Sequence, residues 1–279
     1  MHKMTAEQYF SMPHSMKKVT TLILALIFLG CSEHGHSEAD FPSRSVMVNG
    51  IAYGYRVYVP ANRDPNIKIP VMLYLHGSNR RGDDNGAQLE DIASVVNANR
   101  QRFSFIIVLP QCRGGKFWAG EMNEQAFAAL DQTIKEFNGD ENRLYLAGFS
   151  MGGNGTWQIG LAHPGKFAAL IPVAANVAPS SRLSPETLES LPPRLRAAAV
   201  SPDPYKVFAE GIGSTPVWAF HGSDDEAVPV TESRKIVEAF KNAGSQNAKY
   251  SEFEGVGHGS VKPALSDPKL FEWLEHQKL

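Results

Sequence analysis

Gly148-Phe149-Ser150-Met151-Gly152-Gly153-Asn154-Gly155-Thr156-Trp157 follows the apolar run 144–147 and leads into a stretch of helical character. A serine at the apex of so tight a strand-to-helix turn needs backbone angles that L residues rarely adopt. Glycine two residues to either side removes the Cβ atoms that would clash there. The serine hydroxyl is then presented above a sheet, at the amino terminus of a helix. A Gly-x-Ser-x-Gly match carries little alone; the strand before it and the helix after it give it meaning.

Working outward, continuously apolar runs at 71–75, 105–109, 144–147 and 217–220 read as strands covered on both faces, and 168–173 and 249–253 add two more. Helices are predicted at 87–98, 123–137, 156–163, 231–243 and 267–277. Residues 45–48 and 53–59 alternate large and polar side chains around Asn49-Gly50, the pattern of an antiparallel hairpin. A hairpin followed by strand-helix alternation predicts an α/β domain with a mostly parallel central sheet and helices on both faces. The stretch 176–213 interrupts the alternation with Pro179, Pro185, Pro192, Pro193, Pro202 and Pro204. It is expected to pack over the carboxyl edge of the sheet and border a ligand crevice there.

A serine hydroxyl is a poor nucleophile unless a base takes its proton, and the base works best when a carboxylate orients it. Past the run 217–220 comes His221-Gly222-Ser223-Asp224-Asp225-Glu226-Ala227-Val228-Pro229, where Asp224, Asp225 and Glu226 compete on spacing alone. Past 249–253, Gly255-Val256-Gly257-His258-Gly259 puts His258 on a glycine-rich loop and makes it the candidate base. His34, His36, His163 and His276 lie away from strand ends. His76 and His221 follow strands but precede the acid in the chain, so they read as residues that hold loops. The oxyanion of a tetrahedral intermediate needs donors, for which the Met151 N–H and the Ser78 N–H in His76-Gly77-Ser78 are the candidates. Gln111 and Trp118, on the loop after 105–109, are candidate pocket residues, although Trp118 could equally close the core.

The 279-residue chain is 43% hydrophobic and 20% charged with net charge −2, an ordinary globular composition. Lys3, Lys17 and Lys18 outweigh Glu7 before residue 31, so the rest is mildly acidic and nucleic acid is not an expected partner. Residues 19–29 are apolar but shorter than the roughly twenty residues of a bilayer span. Met16-Lys17-Lys18 precedes them and Gly30-Cys31-Ser32 follows, so 1–30 reads as an export signal; a simple cleaved signal and a short uncleaved anchor are the other readings. The polar stretch 1–15 lacks signal character and makes Met16 a candidate start. Residues 31–43 read as a tether. The two cysteines, Cys31 and Cys112, allow one bridge at most, and Cys112 reads as a buried small hydrophobe. Without a P-loop, a dinucleotide glycine pattern or metal-ligand spacing, no metal or organic cofactor is implied.

Phe28-Leu29-Gly30-Cys31 resembles a bacterial lipoprotein lipobox. The resemblance implies cleavage before Cys31, lipidation of its thiol and attachment to a membrane of the cell envelope. Further on, Leu75-His76-Gly77-Ser78 with Arg81-Gly82-Asp83-Asp84, then Leu109-Pro110-Gln111-Cys112, the serine region through Trp157, residues 216–229 and the stretch ending at His258 together resemble α/β-hydrolase serine esterases. Within these they are similar to the bacterial group labelled predicted peptidase or phospholipase/carboxylesterase, and to feruloyl-esterase-like and polyhydroxybutyrate-depolymerase-like enzymes. Gly259-Ser260-Val261 stands where members often carry an aromatic. The resemblance implies an α/β-hydrolase domain over 44–279 and selects Asp225 as the acid beside Ser150 and His258. It also implies a carboxylesterase acting on small-molecule or polysaccharide- or lipid-derived esters. A peptidase of the same superfamily and a non-catalytic surface-binding lipoprotein are the alternatives.

Overall fold

Strand residues alternate between two cores in this protein, and that alternation builds the sheet. The structure is a computed structural model that describes residues 40–61, 63–177 and 184–279. The proposed signal, Cys31 and most of the tether lie outside the described residues. The tether ends sooner than expected, because Phe41 is fully buried, with its ring 5.8 Å from that of Tyr58, and Asp40 pairs with Arg100.

The strands are β1 (Ser43–Val48), β2 (Ile51–Tyr58), β3 (Ile69–Leu75), β4 (Ile106–Pro110), β5 (Gly139–Phe149), β6 (Ala169–Val173), β7 (Val217–Gly222) and β8 (Ala248–Phe253). They form an eight-stranded sheet in the order β1-β2-β4-β3-β5-β6-β7-β8. β1 and β2 are an antiparallel hairpin whose turn residues Asn49 and Gly50 both take positive φ, 49° and 79°, as a tight twisted turn requires. β2 runs antiparallel to β4, and every later pairing is parallel. β4, β6 and β7 are buried at every position, as strands covered on both faces must be. β8, at the edge, exposes Lys249 and Glu252.

The helices are α1 (Ala93–Ala98), α2 (Glu121–Phe137), α3 (Met151–Ala162), α4 (Pro185–Ser190), α5 (Pro193–Val200), α6 (Pro204–Ile212), α7 (Thr231–Asn242), α8 (Val261–Ser266) and α9 (Pro268–Glu275). Successive strand side chains point to opposite faces. Val71, Leu73 and Leu75 of β3 therefore join a core covered by α2, α3, α5, α6 and α7. Met72 and Tyr74 join the opposite core, covered by α1, α8 and α9.

Three expectations change. The helix expected over 87–98 is a 3-10 turn, Ala87–Leu89, followed by the shorter α1. Arg80 pairs with Glu90 at 2.6 Å and with Asp91 at 3.0 Å, which holds the interruption in place. Near the end of the chain, α8 precedes the expected terminal helix; its Pro263 falls in the first turn, where no N–H is needed. The stretch 176–213, for which no helix was expected, holds three, and its prolines start them. Pro185, Pro193 and Pro204 open α4, α5 and α6 at the position where proline's missing N–H costs nothing. With Leu195, Ala198, Phe208 and Ile212 buried, α5 and α6 extend the helical layer beside α3 and α7. At the start of this stretch Asn176 and Val177 come three and four residues past the end of β6, and the Val177 N–H donates to Glu232 in the first turn of α7.

Candidate active site

Ser150 sits between β5 and α3 with φ 54° and ψ −116°, a conformation rarely open to residues with a side chain. The turn around it is too close for any other side chain at the flanks. A Cβ on Gly148 would lie 2.2 Å from the Gly152 carbonyl oxygen, and one on Gly152 would lie 1.8 Å from the Leu75 carbonyl oxygen. Two backbone bonds hold the apex, Ser150 N–H to Val173 O at 2.9 Å and Asn154 N–H to Ser150 O at 2.9 Å.

Two further loops converge on it. Past β7, Ser223 N–H donates to Phe253 O and Asp224 N–H to Val256 O, both at 3.0 Å, joining this loop to the one past β8. Gly222 permits the approach, since a Cβ there would lie 2.1 Å from Val256 O. Asp225 is thereby held opposite His258. One carboxylate oxygen, Oδ1, accepts from Ala227 N–H at 2.9 Å and Val228 N–H at 2.8 Å; the other, Oδ2, accepts from His258 Nδ1 at 2.8 Å. Burial raises the Asp225 pKa, but the Val228 N–H, His258 and the Ala227 N–H outweigh it, so the carboxyl lies below its ordinary range and is ionised at neutral pH. Because Nδ1 donates to this carboxylate, Nε2 is the accepting nitrogen, and it lies 2.9 Å from Ser150 Oγ. Asp224 instead receives the Ser223 hydroxyl at 2.6 Å and is exposed, and Glu226 also faces solvent. Of the three acids, Asp225 alone bonds His258.

Met151 is the first residue of α3, and Ser78 opens a 3-10 turn, Ser78–Arg80, so neither N–H has an acceptor within its own helix. The contact of Gly152 with the Leu75 and His76 carbonyls, and of Gly77 with Phe149, brings the two segments together beside Ser150.

The two proposed pocket residues have other tasks. Gln111 is buried; its amide donates to Arg80 O at 3.2 Å and Asp84 Oδ1 at 2.9 Å and accepts from Asn85 N–H at 2.7 Å, so it staples the 80–85 loop. Trp118 is in the core against Gly155, with its indole N–H on His76 O at 3.0 Å. His76 and His221 hold loops, as their positions suggest. His76 Nδ1 donates to Gly77 O at 2.7 Å and Nε2 accepts from Cys112 N–H at 2.9 Å; burial pushes its pKa down to about 4. Cys112 is buried, and loss of solvent raises its thiol to about 11, so it is inert. Ser233, bonded to His221 at 2.7 Å, escaped the sequence reading. Ser233 lies twelve residues past His221 and four past Pro229, a spacing that offers no motif for it. No cluster of metal-binding side chains occurs among the described residues. Surface grooves of about 780 and 750 Å3 are lined by residues away from Ser150, Asp225 and His258.

Among known proteins, a secreted protein of uncharacterized role from Arthroderma benhamiae is 26% identical over 224 residues, which span 74% of this chain and 23% of the relative. A bifunctional acetylxylan esterase/xylanase from Neocallimastix patriciarum is 34% identical over 129 residues, 44% of this chain and 18% of the relative. The chain thus spans less than a quarter of either relative's length. Among solved structures, a thermostable esterase superposes with TM-score 0.69 and 27% identity, covering 86% of this chain and 64% of that one. A ferulic acid esterase at 19% identity shares the fold with TM-score 0.62, covering 84% and 96%. The prolyl oligopeptidase family model matches residues 103–276, well over half of the chain and all three members of the Ser150–His258–Asp225 relay. With its α/β-hydrolase sheet and serine elbow, the chain belongs to the prolyl oligopeptidase family.

Proposed function

We propose that this protein is an exported serine esterase that hydrolyses carboxylic esters through an acyl-enzyme on Ser150. The observation that carries the reading is the unbroken hydrogen-bonded relay from Ser150 Oγ to His258 to Asp225, at 2.9 and 2.8 Å. His258 Nε2 takes the serine proton as Oγ attacks the ester carbonyl, and the buried Asp225 carboxylate stabilises the imidazolium that results. The Met151 and Ser78 N–H groups receive the oxyanion, and His258 returns the proton to the leaving alcohol. Water then repeats the sequence on the acyl-enzyme. The names of the thermostable esterase and of the acetylxylan esterase relative favour ester over amide substrates. Small-molecule or polysaccharide- or lipid-derived esters are the substrate class.

The family match favours a second reading, a peptidase, which would use the same relay to protonate an amine. Turnover of matched ester and amide substrates separates the two. Replacing Ser150 with Ala is expected to abolish both hydrolysis of short p-nitrophenyl esters and labelling by a fluorophosphonate probe, with thermal unfolding unchanged. A folded wild-type protein that the probe leaves unlabelled would instead favour a non-catalytic surface protein.

Export is supported by the secreted relative and by the 16–30 pattern, and the lipobox resemblance extends it to a lipid anchor on Cys31 ahead of a catalytic domain at 44–279. No helix among the described residues is long and apolar enough to cross a membrane. Mass spectrometry of the mature amino terminus tests the anchor; a chain beginning anywhere but at a lipidated Cys31 overturns it.

A further inference from the structure

We propose that Arg81, backed by Phe117, is a subsite for a carboxylate carried by the ester substrate beside Ser150; the proposal rests on the serine-esterase reading above. Every other arginine among the described residues donates to a carboxylate, amide or carbonyl oxygen. Arg81 does not. Its Nε donates to Met151 Sδ at 3.2 Å, a weak acceptor, and its guanidinium carbon lies 4.8 Å from the centre of the Phe117 ring. Phe117 is 64% exposed.

The position matters as much as the missing partner. Met151 directly follows Ser150 and carries one candidate oxyanion donor, while Arg81 lies three residues past Ser78, which carries the other. The cation is therefore tethered at the flank of the reacting centre. With Nε on the thioether, both Nη groups remain for a ligand. A guanidinium fork matches the two oxygens of a carboxylate, and one such fork supplies one bidentate pair and one charge, which a carboxylate alone consumes. Phe117 covers the guanidinium plane, limits its motion and offers an apolar wall beside the charge. A positive charge left without an anionic partner next to a nucleophile is what a site awaiting an anionic substrate group presents.

The carboxylate can be on the alcohol or the acyl side of the ester, and matched pairs distinguish them. One pair is 4-acetoxybenzoate and methyl 4-acetoxybenzoate; the other is mono-4-nitrophenyl adipate and its methyl ester. For one pair, Arg81→Gln is expected to lower the charged-to-neutral ratio of kcat/KM at least about tenfold, chiefly through KM of the charged ester, and Arg81→Lys to recover part of it. An unchanged ratio in both pairs overturns the subsite while leaving the esterase reading intact. If wild-type protein turns over none of the four esters, the esterase reading fails separately. Peptide mass spectrometry of phenylglyoxal modification then decides the subsite: protection of Arg81 by monomethyl adipate supports it, and no protection overturns it.

Discussion

His221 and His258 share one oxygen of one carboxylate, at 3.1 and 2.8 Å from Asp225 Oδ2. The surroundings of the two rings differ. His221 is fully buried; its Nε2–H is shared between that oxygen and Val228 O at 3.0 Å, and its Nδ1 accepts from the Ser233 hydroxyl at 2.7 Å. Both nitrogens are consumed inside the protein, and burial lowers its pKa so that the ring stays neutral. The His258 side chain keeps 31% of its exposure and turns its second nitrogen to Ser150. An imidazole becomes a proton carrier when one nitrogen is held and the other is left to a reacting group; when both are held, it becomes part of the scaffold.

The largest effect should separate these roles directly. His258→Ala is expected to lower kcat/KM by about 10^4-fold or more with little change in the denaturation midpoint. His221→Gln should invert the pattern, with a much smaller loss of activity and a loss of stability of about 1–3 kcal/mol in urea unfolding. Equal inactivation of both variants would break the contrast.

Acid should expose the scaffold histidines next. Unfolded, His76 titrates near 6.5; folded, it titrates at about 4, because burial and the Cys112 N–H oppose a second proton. Between those values the unfolded chain binds the extra proton, so stability is present above pH 6.5 and is lost as the pH falls toward 4, by about 3 kcal/mol. His221, also lowered, acts in the same direction. Urea midpoints measured from pH 7 to 4 should fall, and His76→Gln should flatten the fall; an unaltered slope would remove His76 from the account. The smallest effect is Ser233→Ala, which strips His221 Nδ1 of its donor. It is expected to cost about 1 kcal/mol in urea unfolding and to leave the pH profile of ester hydrolysis in place.

Particular residues show how far the chain could be read without its fold. The strand at 71–75 was legible because an unbroken apolar run needs cover on both faces. The elbow was legible because the steric demand on Gly148 and Gly152 is local. Gln111 was misread because an amide after a strand looks the same in sequence whether it lines a pocket or staples a loop; Arg80, Asp84 and Asn85 become its partners only when the chain folds back. The helices of 176–213 were missed for a related reason. A proline ends a helix or begins one according to which side of it is amphipathic and what covers that side.

By itself the sequence determined the strand-helix alternation, the hairpin and the strained serine, because periodicity and close-range sterics are written along neighbouring residues. Tertiary structure decided which of three adjacent acids bonds His258, that Trp118 is in the core, and that Arg81 has no anionic partner among the described residues. Those outcomes depend on loops that close over Val256 and Gly222 and on contacts between residues far apart in the chain, such as Ser150 and His258. Hydrogen-bond reach is a few ångströms, and only the folded backbone sets which groups fall within it.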